Sequence, residues 1–134
     1  MTHLKNIFIV DDDKIFVFLT GKTIKETKLE AEIKEFGNGR VAIDYLRQNK
    51  DNPELLPDVI FLDLNMPVMD GWEFLNQYMA MEPEVREKIK LYIFSSSISP
   101  HDVERAKGFS AVADFLIKPL SRQKFMEIYK NEEC

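Results

Sequence analysis

The most informative segment of this 134-residue chain runs from Val59 to Gly71 and reads VIFLDLNMPVMDG. Its first four residues, Val59–Leu62, form an unbroken apolar run, which is typical of a strand buried on both faces of a parallel sheet. Asp63 follows directly, at the carboxyl end of that strand. Pro67 and Gly71 then force a loop before the next helix begins. The segment therefore predicts a buried strand that brings a carboxylate to the rim of a sheet.

The alternation of a short apolar strand with a longer amphipathic stretch occurs five times along the chain. The other predicted strands are Asn6–Val10, Ala31–Phe36, Leu91–Phe94 and Ala111–Ile117. A helix is predicted after each strand, with Pro83 ending the third helix and Ser99 or Pro100 opening the fourth. Five such units predict an α/β fold, an open doubly wound parallel sheet whose right-handed crossovers place helices on both faces.

The first predicted helix, from about residue 14 to residue 28, carries more apolar residues than one stripe buries. Its inward stripe is predicted to be Phe16, Leu19, Thr23 and Ile24. Because residues 15–19 are apolar without a break, we expect Ile15 and Phe18 at the surface, near the rim. Packing of this run against the last helix or a neighbouring turn is the alternative.

The composition of the chain argues against several classes of protein. The net charge of −5 disfavours nucleic acid, which needs clustered Lys and Arg. No apolar run approaches the roughly 18 residues of a membrane span, so no membrane insertion is expected. Cys134 is the single cysteine, which predicts no disulfide framework and suits a reducing cytoplasm. The length predicts one domain and no output domain.

The predicted strand ends carry chemically distinct side chains. They are Asp11, Asp12 and Asp13 after the first strand, Asp63 after the third, Ser95 after the fourth and Lys118 after the fifth. Clustered carboxylates repel one another unless a cation shares the site. Mg²⁺, or alternatively Mn²⁺, suits such oxygen ligands. We expect Asp12 and Asp63 to bind it directly, Asp11 mostly through water, and the Asn65 backbone carbonyl to complete the protein ligands.

A carboxylate beside a bound cation is a candidate nucleophile toward phosphorus. Asp63 would form an aspartyl phosphate, with the metal neutralising the transferring group. Lys118 would pair with a second phosphoryl oxygen and the Ser95 hydroxyl with a third. Asp13 is expected to cap the first helix or to lie at the surface.

Four stretches together resemble the receiver domain of two-component response regulators. They are Ile7–Asp12 (IFIVDD), Asp63–Gly71 (DLNMPVMDG), Ser95 at a strand end, and Lys118-Pro119. The resemblance covers nearly the whole chain and implies one receiver domain over residues 1–134, with a core of about 5–131. It implies a flavodoxin-like (βα)₅ fold with strand order 2-1-3-4-5.

The resemblance also implies roles for individual residues. Asp63 corresponds to the phosphoacceptor, Asp11 and Asp12 to the acidic pair, Ser95 to the switch hydroxyl and Lys118 to the phosphate-sensing lysine. Phe115 stands where the family often has a switch tyrosine, and the Lys118–Pro119 bond is expected to be cis. The expected donor is a histidine kinase or a histidine phosphotransfer protein. The downstream partner stays open, as does a monomer or a phosphorylation-dependent dimer.

Two other functions remain possible from the sequence. A haloacid-dehalogenase-like phosphatase would use the Asp-x-Asp pattern of residues 11–13, with Asp11 as nucleophile, but it leaves residues 63–71 unexplained. A pseudo-receiver would bind partners through the same fold without phosphorylation. The receiver resemblance instead predicts a signalling switch, not an enzyme acting on other substrates. Phosphorylation is expected to change the face formed by the fourth helix, the fifth strand and the fifth helix.

Overall fold

The computed structural model describes residues 5–132, so the prediction made for Cys134 lies outside the described residues. A five-stranded parallel sheet in the order β2-β1-β3-β4-β5 forms its centre. The strands are β1 (Lys5–Val10), β2 (Ala31–Phe36), β3 (Val59–Leu62), β4 (Lys90–Ser95) and β5 (Val112–Ile117). The predicted fold class and strand order are confirmed.

Helices cover both faces of the sheet. They are α1 (Lys14–Glu26), α2 (Gly39–Gln48), α3 (Gly71–Met79), α4 (Pro83–Arg86), α5 (Pro100–Ala106) and α6 (Arg122–Glu132), and a 3₁₀ turn spans Pro53–Leu55. One core cluster lies under α2, α3 and α5, and a second lies under α1 and α6. No helix within residues 5–132 has both the length and the apolar character needed to cross a membrane.

The role predicted for Pro83 is wrong. The helix it was expected to end, α3, stops at Met79, and Pro83 opens the one-turn helix α4. Proline fits there because the first residue of a helix needs no amide hydrogen bond and its φ is already helical.

The inward stripe predicted for α1 is wrong at most positions. Val17, Thr20 and Ile24 are the buried residues, whereas Leu19 is 42% exposed, and Phe16 and Thr23 are half-buried. Five apolar residues in a row fit several helix rotations, and packing against β2 and α6 selects this one. Ile15 and Phe18 are 71% and 68% exposed, which confirms the prediction that they lie at the surface.

The loop between β3 and α3 is tightly folded. The Gly71 N–H donates to the Leu64 carbonyl oxygen (2.9 Å), and a Cβ at Gly71 would lie 2.5 Å from the Asp63 carbonyl oxygen. The Met69 N–H donates to the Pro67 carbonyl oxygen (2.7 Å), and Val68 between them has a φ of 67°. A hydrogen bond between residues two apart with a positive φ is typical of a strained γ-turn.

Candidate functional site

Three carboxylates meet at the carboxyl-terminal edge of the sheet. Asp11 and Asp12 follow β1 and Asp63 follows β3, and these two strands are neighbours. One carboxylate oxygen from each residue lies within 4.8 Å of the other two. Asp11 and Asp63 are buried, whereas Asp12 is exposed. The acidic residues singled out in the sequence are thus brought together by the parallel sheet.

The Lys118 ammonium lies among these carboxylates. Its Nζ is 2.6 Å from Oδ2 of Asp11 and 3.8 Å from Oδ1 of Asp63. Lys118 follows β5, and its backbone N–H donates to the Ser95 carbonyl oxygen at the end of β4 (2.8 Å). The peptide bond from Lys118 to Pro119 is cis. Since β4 and β3 separate β5 from β1, the lysine side chain spans both strand ends to reach Asp11.

Asp63 is held where its negative charge is disfavoured. The pKa of Asp63 is raised to about 6, mainly by burial and secondly by the neighbouring Asp11 carboxylate. Lys118 and hydrogen bonds from the backbone N–H groups of Leu64 and Asn65 act in the opposite direction. A cation placed among the three carboxylates would relieve the repulsion between Asp11 and Asp63.

The donor set fits a hard divalent cation. Carboxylate oxygens from three residues lie within 4.8 Å of one another, and the exposed Asp12 leaves the site open to solvent. Mg²⁺ takes oxygen ligands, uses few protein carboxylates and keeps several waters, so a half-open carboxylate group suits it. The residues present therefore fit Mg²⁺, and by the same oxygen chemistry Mn²⁺.

Ser95 and Phe115, the two predicted switch residues, lie on β4 and β5. The buried Ser95 hydroxyl donates to the Ser97 carbonyl oxygen (2.9 Å), and the Ser97 N–H donates to Ser95 Oγ (3.4 Å). Phe115, in β5, is half-buried against the core under α2, α3 and α5. A backbone hydrogen bond joins Lys118 to Ser95, but the Ser95 hydroxyl donates to the loop after β4 and not to the site.

The cap predicted at Asp13 is confirmed, whereas the roles of two phenyl rings at the site went unrecognised in the sequence. Asp13, foreseen as a helix cap or surface residue, caps α1 by accepting from the N–H groups of Ile15 and Phe16, and its own N–H donates to Asp11 Oδ1. The rings of Phe16 and Phe94 face the Lys118 ammonium. The capping pattern at Asp13 was readable, whereas a contact between Phe16 and Lys118 joins residues too far apart in sequence for any local signal.

Comparison with known proteins places the chain in a defined group. A family model described as the response regulator receiver domain matches residues 7–130. A probable methanogenesis regulatory protein, FilR2 of Methanothrix harundinacea, is 31% identical over 115 residues, which cover 86% of this chain and 72% of that protein.

Solved structures agree with this similarity. A two-component response regulator from Cytophaga hutchinsonii aligns with a TM-score of 0.87 and 26% identity, over 98% of both chains. The Mn²⁺-bound form of the response regulator Rcp1 aligns with a TM-score of 0.72 and 25% identity, over 96% of this chain and 91% of that one.

Proposed function

Because this chain belongs to the response regulator receiver domain family, we propose that it is a phosphorylation switch whose Asp63 accepts a phosphoryl group. The donor is a phosphohistidine on a histidine kinase or on a histidine phosphotransfer protein. One observation carries the proposal: Asp63 lies in a group of three carboxylates, with the Lys118 ammonium 3.8 Å from its Oδ1.

The chemistry follows from the residues around Asp63. An Asp63 carboxylate oxygen forms a bond to phosphorus as the phosphorus–nitrogen bond of the phosphohistidine breaks. The leaving imidazole nitrogen keeps the electron pair of that bond and takes up a proton. Lys118 pairs with one phosphoryl oxygen, and the Ser95 hydroxyl donates to another.

Mg²⁺, or Mn²⁺ in its place, is the cofactor we propose for this step. Asp11, Asp12 and Asp63 would hold it, together with the backbone carbonyl oxygen of Asn65. When bound, it neutralises negative charge on the transferring phosphoryl group. The convergent carboxylates support this assignment, as does the similarity to a receiver solved with Mn²⁺.

Phosphorylation would act outward through Ser95. Its hydroxyl must leave the Ser97 carbonyl oxygen in order to reach a phosphoryl oxygen, which shifts the loop between β4 and α5. The half-buried Phe115 then moves inward and changes the face formed by α5, β5 and α6, where α5 and α6 are the helices predicted as the fourth and fifth. NMR of the beryllofluoride-treated protein should show shift changes around Ser95 and Phe115, and unchanged shifts there would refute this path.

The phosphoacceptor is tested with a small donor. Acetyl phosphate and Mg²⁺ should add one phosphoryl group to the purified protein, as measured by intact mass. The Asp63→Asn variant should gain no phosphoryl group. If Asp11→Asn instead abolished phosphorylation while Asp63→Asn retained it, a haloacid-dehalogenase-like phosphatase would be favoured. Wild-type protein that stays unmodified would favour a pseudo-receiver that binds partners without phosphorylation.

A further inference from the structure

The Lys118 ammonium lies close to two phenyl rings as well as to two carboxylates. Its Nζ is 4.7 Å from the ring centroid of Phe16 and 5.6 Å from that of Phe94. Both distances fall within the roughly 6 Å over which a ring face attracts a cation. We propose that Phe16 is a positioning residue, which holds Lys118 for phosphoryl transfer through a cation–π contact. This inference rests on the proposed function.

Burial makes the ring contact consequential. The Lys118 side chain is only 4% exposed, so its ammonium has lost most of its hydration. A desolvated ammonium depends on whatever groups surround it, and a cation–π contact is stronger away from water. The rings therefore contribute to the environment that keeps this charge at the site.

The two rings differ in freedom. Phe94 belongs to β4, is buried, and packs against Phe61 with their ring centroids 5.5 Å apart. Phe16 is half-buried in the first turn of α1, where Asp13 accepts from its N–H (3.3 Å). Core packing thus fixes the ring of Phe94, whereas the position of Phe16 is set by the cap of α1.

The cap connects Phe16 to the acidic group. Asp13 donates its own N–H to Asp11 Oδ1 (2.9 Å), and Asp11 Oδ2 is 2.6 Å from the Lys118 ammonium. Successive contacts therefore run from Asp11 to Asp13, from Asp13 to Phe16, from Phe16 to Lys118 and from Lys118 back to Asp11. A displacement of the first turn of α1 would be transmitted to the lysine by two routes, through the ring and through Asp11.

An aromatic partner has a specific advantage over a third carboxylate. In the structure Lys118 lies closer to Asp11 than to Asp63, yet it must pair with a phosphoryl group attached to Asp63. The ring attracts the ammonium without adding negative charge, so it does not repel the incoming phosphoryl group. Phe16 therefore stabilises the cation while Lys118 exchanges Asp11 for phosphate.

Fluorination of Phe16 separates this role from simple packing. Successive fluorine atoms weaken the negative face of the ring while nearly preserving its size. We expect the rate of phosphorylation by acetyl phosphate and Mg²⁺ to fall stepwise through the mono-, di- and trifluorinated Phe16 proteins, by about tenfold in total. The Phe16→Met protein should be as slow as the trifluorinated one, and Phe16→Tyr should keep most of the wild-type rate.

Phe109 provides the matched control. It is also half-buried, but it lies before β5, at the opposite end of that strand from Lys118, and contacts Trp72. The same fluorinated series at position 109 should leave the rate unchanged. Equal rates throughout the Phe16 series, or an equal decline in both series, would overturn the inference.

A measurement without any phosphodonor tests the contact itself. Ring currents should shift the ε-methylene proton resonances of Lys118 upfield, and Phe16→Met should reduce that shift, whereas Phe109→Met should not. If wild-type protein accepts no phosphoryl group, the proposed function fails, and the ring contact is then tested by this NMR shift alone. An unchanged Lys118 shift in Phe16→Met overturns the inference even if phosphorylation proceeds.

Discussion

Lys118 is the residue at which the electrostatics of this protein converge. Its buried ammonium is 2.6 Å from one buried carboxylate and 3.8 Å from another. Taking such charges out of water costs about as much free energy as their attraction returns, so a buried pair adds little net stability. We therefore expect Lys118 and Asp11 to serve the chemistry of the site more than the stability of the fold.

Tyr78 should make the protein sensitive to alkali. The side chain is fully buried in α3, and its hydroxyl has no hydrogen-bond partner among the described residues. Burial raises the pKa of Tyr78 above its ordinary value of about 10. Below that value both states keep the proton, whereas at higher pH the unfolded chain loses it first, so folding stability falls.

The Tyr78→Phe variant should remove this contribution. Urea unfolding of the wild type at about pH 8 and about pH 11 should show an alkaline loss of free energy of unfolding that is smaller in Tyr78→Phe. Tyr45→Phe removes a hydroxyl from a half-buried ring and is the matched control. An equal reduction in both variants would contradict the assignment.

Val68 should be a strained residue whose replacement stabilises the protein. It is 77% exposed, so little packing is lost, and its φ of 67° is unfavourable for a β-branched side chain. Val68→Asn should raise the free energy of unfolding by about 1 kcal/mol, because asparagine tolerates this region. Lys28 has a φ of 62° with an unbranched side chain, so Lys28→Asn should gain less in the same urea titration.

Among the elements, α3 is placed by the absence of a side chain at its first residue. A Cβ at Gly71 would lie 2.5 Å from the Asp63 carbonyl oxygen and 2.8 Å from Leu64 Cα, and backbone cannot move aside cheaply. Gly71→Ala should therefore lower the free energy of unfolding by about 3 kcal/mol and slow phosphorylation of Asp63. Both effects are measured by urea unfolding and by acetyl phosphate labelling.

Gly37 offers the control for that substitution. A Cβ there would meet nothing within 4 Å, and no described glycine has a positive φ. Gly37→Ala should change the free energy of unfolding by less than about 0.5 kcal/mol. A similar loss in both variants would mean that backbone freedom, and not the contact with Asp63, governs Gly71.

The outer surface of α1 should act in donor recognition. Phe18 is 68% exposed and Ile15 is 71% exposed on the helix that begins beside Asp11 and Asp12. Phe18→Lys should slow transfer from a phosphorylated histidine phosphotransfer protein but not from acetyl phosphate, since only the protein donor needs a docking surface. An equal slowing with both donors would indicate damage to the site instead.

For the whole molecule, metal binding and folding should be coupled. If Mg²⁺ binds as proposed, its site is the folded arrangement of Asp11, Asp12 and Asp63, which the unfolded chain lacks, so the ion should stabilise the protein. At a free Mg²⁺ concentration ten times the dissociation constant, the free energy of unfolding should rise by about 1.4 kcal/mol, seen as a higher midpoint in thermal unfolding. Chelation should reverse the gain, and Asp12→Asn should reduce it. An identical gain in Asp12→Asn would place the ion elsewhere.

Most of the architecture was predictable because its signals are local. The apolar run of residues 59–62 and the alternating units around it predict a doubly wound parallel sheet, and the structure has that sheet. The strand ends then bring Asp11, Asp12, Asp63 and Lys118 together, as parallel strands require. The strand order itself came from the family resemblance, since no local pattern records which strands become neighbours.

Local sequence therefore established the strands, their order along the chain and the side chains at their ends, because hydrogen-bonding and apolar periodicity act over a few residues. Long-range packing established which face of α1 is buried, burying Val17 and Thr20 where Leu19 was expected. It also set Lys118 against Asp11 and placed the ring of Phe16 over the ammonium. Such contacts join residues about a hundred positions apart, and only the rotation of a helix and the register of a sheet bring them within reach.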